Sequence, residues 1–187
     1  LTLLIRGTIK HPDQSVHTLT LVTKQEKQRM LEEWNAPELE HDQLYLTKWF
    51  EHNVRKQPNA VALSAGDHTM TYAELNEQAN RLARHLQKNG VNHQTVTAIL
   101  AERTPELIVS LLAVLKAGAT YVSIDPDYPE SRIQYMLKDS GATHLLTHSS
   151  FISQTRSLAF DGTYLFADDQ EILLMSSENL PLEAGLD

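Results

Sequence analysis

The 187-residue sequence predicts an α/β fold, a mostly parallel sheet flanked by helices. Three observations predict it. From Val96 onward, short apolar runs alternate with segments of helical period: 96–100, 107–115, 120–124, 133–137 and 143–147. A glycine follows each of three helical segments, at Gly90, Gly118 and Gly141, where a left-handed residue ends a helix at no steric cost. Helix starts carry capping residues, most fully in Met70-Thr71-Tyr72-Ala73-Glu74-Leu75.

The elements follow in order. Leu1, Leu4, Ile5 and Ile9 share a helical face that Pro12 terminates. Val16, Leu19, Leu21 and Val22 suggest a short extended stretch. Thr23-Lys24-Gln25-Glu26 forms a capping box and opens a helix carrying Met30, Leu31 and Trp34, with Asn35 as a left-handed stop. Residues 36–42, with Pro37, Glu38, Glu40 and Asp42, read as an acidic linker. Leu46, Trp49, Phe50 and Val54 mark a helix that packs on a core and ends before Pro58. Residues 61–63 read as a strand and Gly66-Asp67 as a turn. The Thr71 hydroxyl caps the next helix, Glu74 reaches back to the Thr71 amide, and Met70 clamps against Leu75. Thr104-Pro105-Glu106 caps a helix apolar almost all round, hence one expected to be buried. Pro129 opens a helix with Ile133, Met136 and Leu137. A weaker helix and strand follow near 152–158 and 163–166, and the segment from Leu173 is loop-like.

Composition narrows the function. Hydrophobic residues make up 41% and charged residues 21%, as in globular domains. With 24 acidic and 16 basic residues the formal charge is -8, which repels a phosphate backbone and argues against nucleic acid as a partner. No cysteine is present, so disulfide and thiolate chemistry are excluded, in keeping with a cytoplasmic location. No apolar run is long enough to span a bilayer, and no membrane partner is expected. The first residue is Leu; an internal start and a trimmed end read equally well.

Two stretches are specific. Thr71, Tyr72, Glu74 and Leu75 stand in Met-Thr-Tyr-Ala-Glu-Leu-Asn, and this resembles the first core motif of the adenylation domains of non-ribosomal peptide synthetases. Leu115, Lys116, Ala117, Gly118, Tyr121, Val122, Ile124, Asp125 and Pro126 resemble the second core motif, with Thr120 and Ser123 where Ala and Pro are commonest. Phe50-Glu51, Asn80-Arg81-Leu82-Ala83 and Tyr128-Pro129-Glu130-Ser131-Arg132-Ile133 are similar to the family between and around these motifs. Residues 1–35, with Trp34-Asn35, look like the end of a condensation domain and its exit linker.

The resemblance implies a division into residues 1–22 (condensation-domain tail), 23–42 (linker) and 43–187 (the N-terminal portion of an adenylation domain with the adenylate-forming fold). It implies that the full domain activates an amino acid with ATP and Mg²⁺ and loads it on a carrier domain's phosphopantetheine thiol. Neighbouring condensation and carrier domains are the implied partners. The seven glycines are dispersed, so no glycine-rich phosphate cradle exists here. The family's catalytic residues have no counterpart in these residues, and no catalytic, cofactor-binding or metal-ligating residue is assigned. The motif residues are expected to be structural. Lys116, at a helix C-terminus, is read as a cation complementing the helix dipole. Tyr72, Tyr121 and Tyr128 are read as core or edge aromatics, and Asp168-Asp169 with Glu171 as a polar surface turn. His144 and His148 fall in and just after a strand, where their spacing does not favour a shared metal. An interdomain scaffold and the front of a stand-alone acyl-CoA or aryl-acid ligase stay open as alternatives. The amino-acid substrate and the peptide product are not encoded in these residues.

Overall fold

A computed structural model describes residues 2–19, 21–35, 45–66 and 68–181. The chain divides into two compact units, Leu1–Gln43 and Leu44–Asp187.

The first unit holds helix α1 (Thr2–Lys10) and helix α2 (Lys24–Gln28). Thr23 forms the expected capping box with Glu26, and the helix then widens into a π turn over Arg29–Glu33, closed by Trp34 N–H donating to the Arg29 carbonyl. Two expectations are corrected. Val16–Thr18 is a 3₁₀ turn and not extended, held by the Thr18 amide and hydroxyl on the Ser15 carbonyl. Asn35 does not take a left-handed conformation, since no described non-glycine residue has positive φ; its side-chain amide donates instead to the Met30 carbonyl. The linker at 36–42 lies outside the described residues.

The second unit begins with α3 (Leu46–Lys56), which stops where Pro58 forbids continuation. A hairpin of β1 (Val61–Ala65) and β2 (His68–Thr71) follows. Strand β2 escaped the sequence reading because Thr71 closes the strand and caps the next helix at once. The capping box at Thr71 and Glu74 forms as expected and opens α4 (Tyr72–Lys88). The sheet then builds stepwise: β3 (Val96–Leu100), α5 (Pro105–Lys116), β4 (Thr120–Ile124), α6 (Glu130–Asp139), β5 (His144–Thr147), α7 (Ile152–Ser157) and β6 (Thr163–Phe166). Gly90, Gly118 and Gly141 turn the helix ends with φ of 92°, 86° and 65°.

The four sheet strands run parallel in the order β4-β3-β5-β6. Alternation along each strand divides two cores. Ile99, Leu146 and Leu165 face the core that holds α4 and α5; Ala98, Leu100 and Leu145 face the core of Ile133, Leu137 and Leu158 from α6 and α7. Helices therefore cover both faces. Helix α5 is less buried than its all-round apolar sequence implies: Val109, Ala113 and Val114 are buried, while Leu107, Ile108, Leu111 and Leu112 are half-buried. Phe50 of α3 packs on the first core as expected, but Trp49 is exposed. After β6, residues 170–179 run back along α4. Arg81 and Arg84 donate to the backbone carbonyls of Leu173 and Glu178, and Asn80 donates to that of Ser177. No described helix is long and apolar enough to cross a membrane.

Candidate functional site

The structure brings the two sequence motifs together through α3. Tyr72, the first residue of α4, lies 6.0 Å from the Phe50 ring, and the Lys116 ammonium lies 5.9 Å from that same ring. Lys116 Nζ donates to Glu51 Oε1 at 2.7 Å, and Lys48 Nζ donates to Glu51 Oε2 at 2.9 Å. Lys116 and Glu51 side chains are 1% and 3% exposed. Lys116 does stand in the last turn of α5, where a cation complements the helix dipole, and it is also one half of a buried ion pair that the sequence reading did not foresee. Burial alone pushes the Glu51 carboxyl up, but the hydrogen bonds and charges of Lys116 and Lys48 outweigh it and hold Glu51 below the usual carboxylate range. Burial acts oppositely on Lys116, pulling its ammonium down while Glu51 resists. A cavity of about 260 Å³ adjoins the pair, walled by Tyr45, Leu46, Gly118, Leu180 and Pro181.

The other motif residues are spread along the sheet. Thr71 and Glu74 are spent on the cap, and Leu75 is buried in the α4–α5 core. Ala117 is fully buried. Tyr121, Val122 and Ile124 lie on the edge strand β4, and Asp125 and Pro126 turn the chain at its carboxyl end. There Asp125 accepts from the Asp127 amide, and the Pro126 carbonyl accepts from Gln154 Nε2. Tyr128 packs beneath the Arg132 guanidinium, 3.8 Å from the ring centre.

A second cavity, about 370 Å³, opens at the carboxyl ends of β3, β5 and β6. The position follows from topology. From β3 the chain steps to β4 on one side by α5, then crosses to β5 on the other side by α6, so the connections diverge between β3 and β5. In open parallel sheets that divergence leaves a crevice where ligands bind. Leu82, Ile99, Val109, Leu146 and Phe151 supply its apolar surface, Glu102, Glu106 and Asp168 bring carboxylates, and His148 brings an imidazole. Asp168 accepts from the Ser149 amide at 2.9 Å and from the Ser149 hydroxyl, and lies 3.4 Å from His148 Nε2. Burial pushes Asp168 up, but the Ser149 bonds outweigh it and hold its carboxyl low.

The N-terminus of α5 borders this crevice, and a helix N-terminus ordinarily attracts anions. Here the place is taken. The expected Thr104 cap fails, since its hydroxyl makes no capping bond to the helix backbone. Glu106 is instead held low, first by a hydrogen bond from the Thr104 side chain and then by its own amide. With Glu102, Glu106 and Asp168 on its walls the crevice has the wrong sign for a triphosphate. Among the described residues no cluster could hold a metal ion. The sequence reading gave Glu106 to a helix start, Asp168 to a surface turn and His148 to the end of a strand, and did not join them with Glu102, because they converge only in the folded sheet.

Residues 50–180 match the family of AMP-binding enzymes. The chain belongs to that family. The chain is 45% identical over 166 residues to surfactin synthase subunit 3 of Bacillus subtilis (strain 168), a match that covers 89% of the chain and 13% of the relative. It is 45% identical over 138 residues to bacitracin synthase 3 of Bacillus licheniformis, covering 74% of the chain and 2% of the relative. Among solved structures it superposes on the non-ribosomal peptide synthetase FmoA3 in its α-methyl-L-serine-AMP-bound form, with TM-score 0.66 and 28% identity over 74% of the chain and 15% of that structure. The chain thus spans a small fraction of these relatives' length, and the expected adenylate-forming α/β fold is the one found.

Proposed function

We propose that this chain is the leading portion of an amino-acid-activating adenylation domain in a cytoplasmic peptide synthetase. In the complete domain the amino-acid carboxylate attacks the α-phosphate of ATP, with Mg²⁺ offsetting the charge. The aminoacyl group then passes to the phosphopantetheine thiol of a carrier domain. Residues 43–187 form the front of that domain, residues 1–22 the tail of a condensation domain, and residues 23–42 the connection. The carrying observation is the family match over residues 50–180 in a chain 45% identical to peptide synthases. The acidic strand-end crevice supports a further point: phosphate binding belongs to parts of the domain outside these residues. The motif residues then serve as framework, with Lys116 and Glu51 tying α3 to α5 and Thr71 and Glu74 fixing the start of α4.

ATP–pyrophosphate exchange tests the proposal. The chain alone is expected to give no amino-acid-dependent exchange above blank. Joined in frame to the remainder of a relative's adenylation domain, it is expected to restore exchange with an amino acid and not with fatty or aryl acids. Exchange by the chain alone, or preference for a non-amino acid, overturns the assignment.

A further inference from the structure

Helix α4 carries a polar stripe beneath the segment that runs back along it. Asn76, Asn80 and Arg84 stand one turn apart on the same face. Asn76 is 8% exposed and Asn80 is fully buried. Their nitrogens hold the returning segment. Asn80 Nδ2 donates to the Ser177 carbonyl at 2.8 Å and to Asn179 Oδ1 at 3.0 Å. Asn76 Nδ2 donates to Asn179 Oδ1 at 2.9 Å, and Arg84 Nη2 donates to the Glu178 carbonyl at 3.1 Å. Three atoms of the stripe are left over. Asn76 Oδ1, Asn80 Oδ1 and Arg84 Nε are shut off from the surface and have no hydrogen-bond partner among the described residues. Turning the amides over does not cure this. The Ser177 carbonyl can only accept, so it must face the Asn80 nitrogen. Asn80 then fixes the oxygen of Asn179, and Asn179 fixes the nitrogen of Asn76.

Three unpaired buried groups on one helix face are costly, so a partner belongs beside them. It must donate to two carboxamide oxygens and accept from a guanidinium N–H. A metal cation fails, because Arg84 repels it and its Nε–H needs an acceptor. An unprotonated anion fails, because it has no proton for either oxygen. An organic molecule fails on size, since all three atoms are closed off from the surface. Water donates two protons and accepts through its lone pairs, and buried water in proteins makes about three such bonds. We infer that the contact between α4 and residues 177–179 is a binding site for ordered water, which donates to Asn76 Oδ1 and Asn80 Oδ1 and accepts from Arg84 Nε. Water completes the seat of the returning segment: α4 side chains hold the segment, and water holds the spare atoms of those side chains. The joint makes this demand whichever reaction the complete domain performs.

Water–protein cross-relaxation in NMR spectra of the 187-residue chain tests the site, with proton exchange separated by its opposite sign in the rotating frame. Cross-peaks from water to side-chain protons of Asn76, Asn80 and Arg84 are expected, with the sign given by water that stays longer than the protein takes to tumble. Asn76→Leu removes one acceptor and puts an apolar group of similar size in its place; it is expected to abolish the water cross-peaks at Asn80. Arg84→Lys keeps a cation that can reach the Glu178 carbonyl but lacks the Nε donor. It is expected to weaken the cross-peaks at Asn76 and Asn80, and it carries the comparison if Asn76→Leu does not fold. No water contact at these side chains, contacts of the sign given by brief surface hydration, or cross-peaks unchanged in the variants overturn the inference.

Discussion

Lys116 and Glu51 stand 65 residues apart in sequence, yet their charged atoms meet at 2.7 Å with almost no exposure to water. The contact joins the end of α5 to the middle of α3. Taking either partner away strands a buried charge, whereas taking both removes the desolvation cost with the attraction. Lys116→Met and Glu51→Gln are therefore each expected to destabilise the chain by about 3–5 kcal/mol. The double variant is expected to be more stable than the sum of the singles implies. Urea unfolding of the four proteins measures this coupling directly, and strict additivity would refute it.

The same pair sets a pH dependence. Glu51 is held below its ordinary value of 4.5 in the folded state, so the unfolded chain binds its proton first as pH falls. Its stabilising contribution is fully present above pH 4.5 and is lost as pH drops through the lower folded value. The stability gap between wild type and Glu51→Gln is expected to be constant from pH 7 to about 5 and to narrow below 4. A gap that widens in acid would show that desolvation of Glu51 outweighs its pairing.

Thr71 does double duty, ending β2 and capping α4, with its hydroxyl accepting from the Glu74 amide at 3.2 Å. Thr71→Ala should cost about 1 kcal/mol and Thr71→Ser much less. Thermal melts of the two variants decide it, and equal losses would point to the methyl group and not to the cap.

Local chemistry explains which parts were readable. The capping boxes at Thr23 and Thr71 and the stops at Gly90, Gly118 and Gly141 act over three or four residues, so the sequence shows them outright. The alternation of runs from Val96 to Thr147 gave the parallel sheet because a buried strand must be apolar whichever neighbours it finds. Long-range pairing was hidden. Nothing adjacent to Lys116 announces Glu51, so the local rule, the helix dipole, accounted for the position of Lys116 and not for its partner. The crevice was hidden too, because Glu102, Glu106, His148 and Asp168 converge only after three strands align. Trp49 misled for the opposite reason: its neighbour Phe50 turns inward while the helix carries Trp49 outward.

Asn179 ties the returning segment to α4. Its side-chain oxygen accepts from Asn76 at 2.9 Å and from Asn80 at 3.0 Å, and both donor residues are buried. Asn179→Ala leaves the Asn76 amide without its acceptor, at a cost of about 1–3 kcal/mol. Because the loss falls on residues 173–180, local opening should rise before global unfolding does. Hydrogen exchange is expected to accelerate there while β3 and β5 keep their protection. Uniform acceleration across the sheet would show that Asn179 supports the whole core and not a strap.

Gly162 is required for space and not for conformational freedom. A Cβ there would lie 2.4 Å from the Thr143 carbonyl oxygen and 2.3 Å from Phe160 Cζ. The Thr143 oxygen already accepts from the Thr163 amide at 3.0 Å, the bond that seats β6 against β5, and Phe160 packs edge-on against Tyr164 at 5.5 Å. Backbone on one side and a paired ring on the other leave a methyl group nowhere to go. Gly162→Ala must therefore either push β6 off β5 or break the ring pair, with an expected loss of about 1–3 kcal/mol. Amide protection should fall first in β6, the edge strand, and leave the β3–β4 pairing intact. A Gly162→Ala chain that melts with wild type and keeps its β6 amides protected would show that the approach of Thr143 to Gly162 is looser than these distances state.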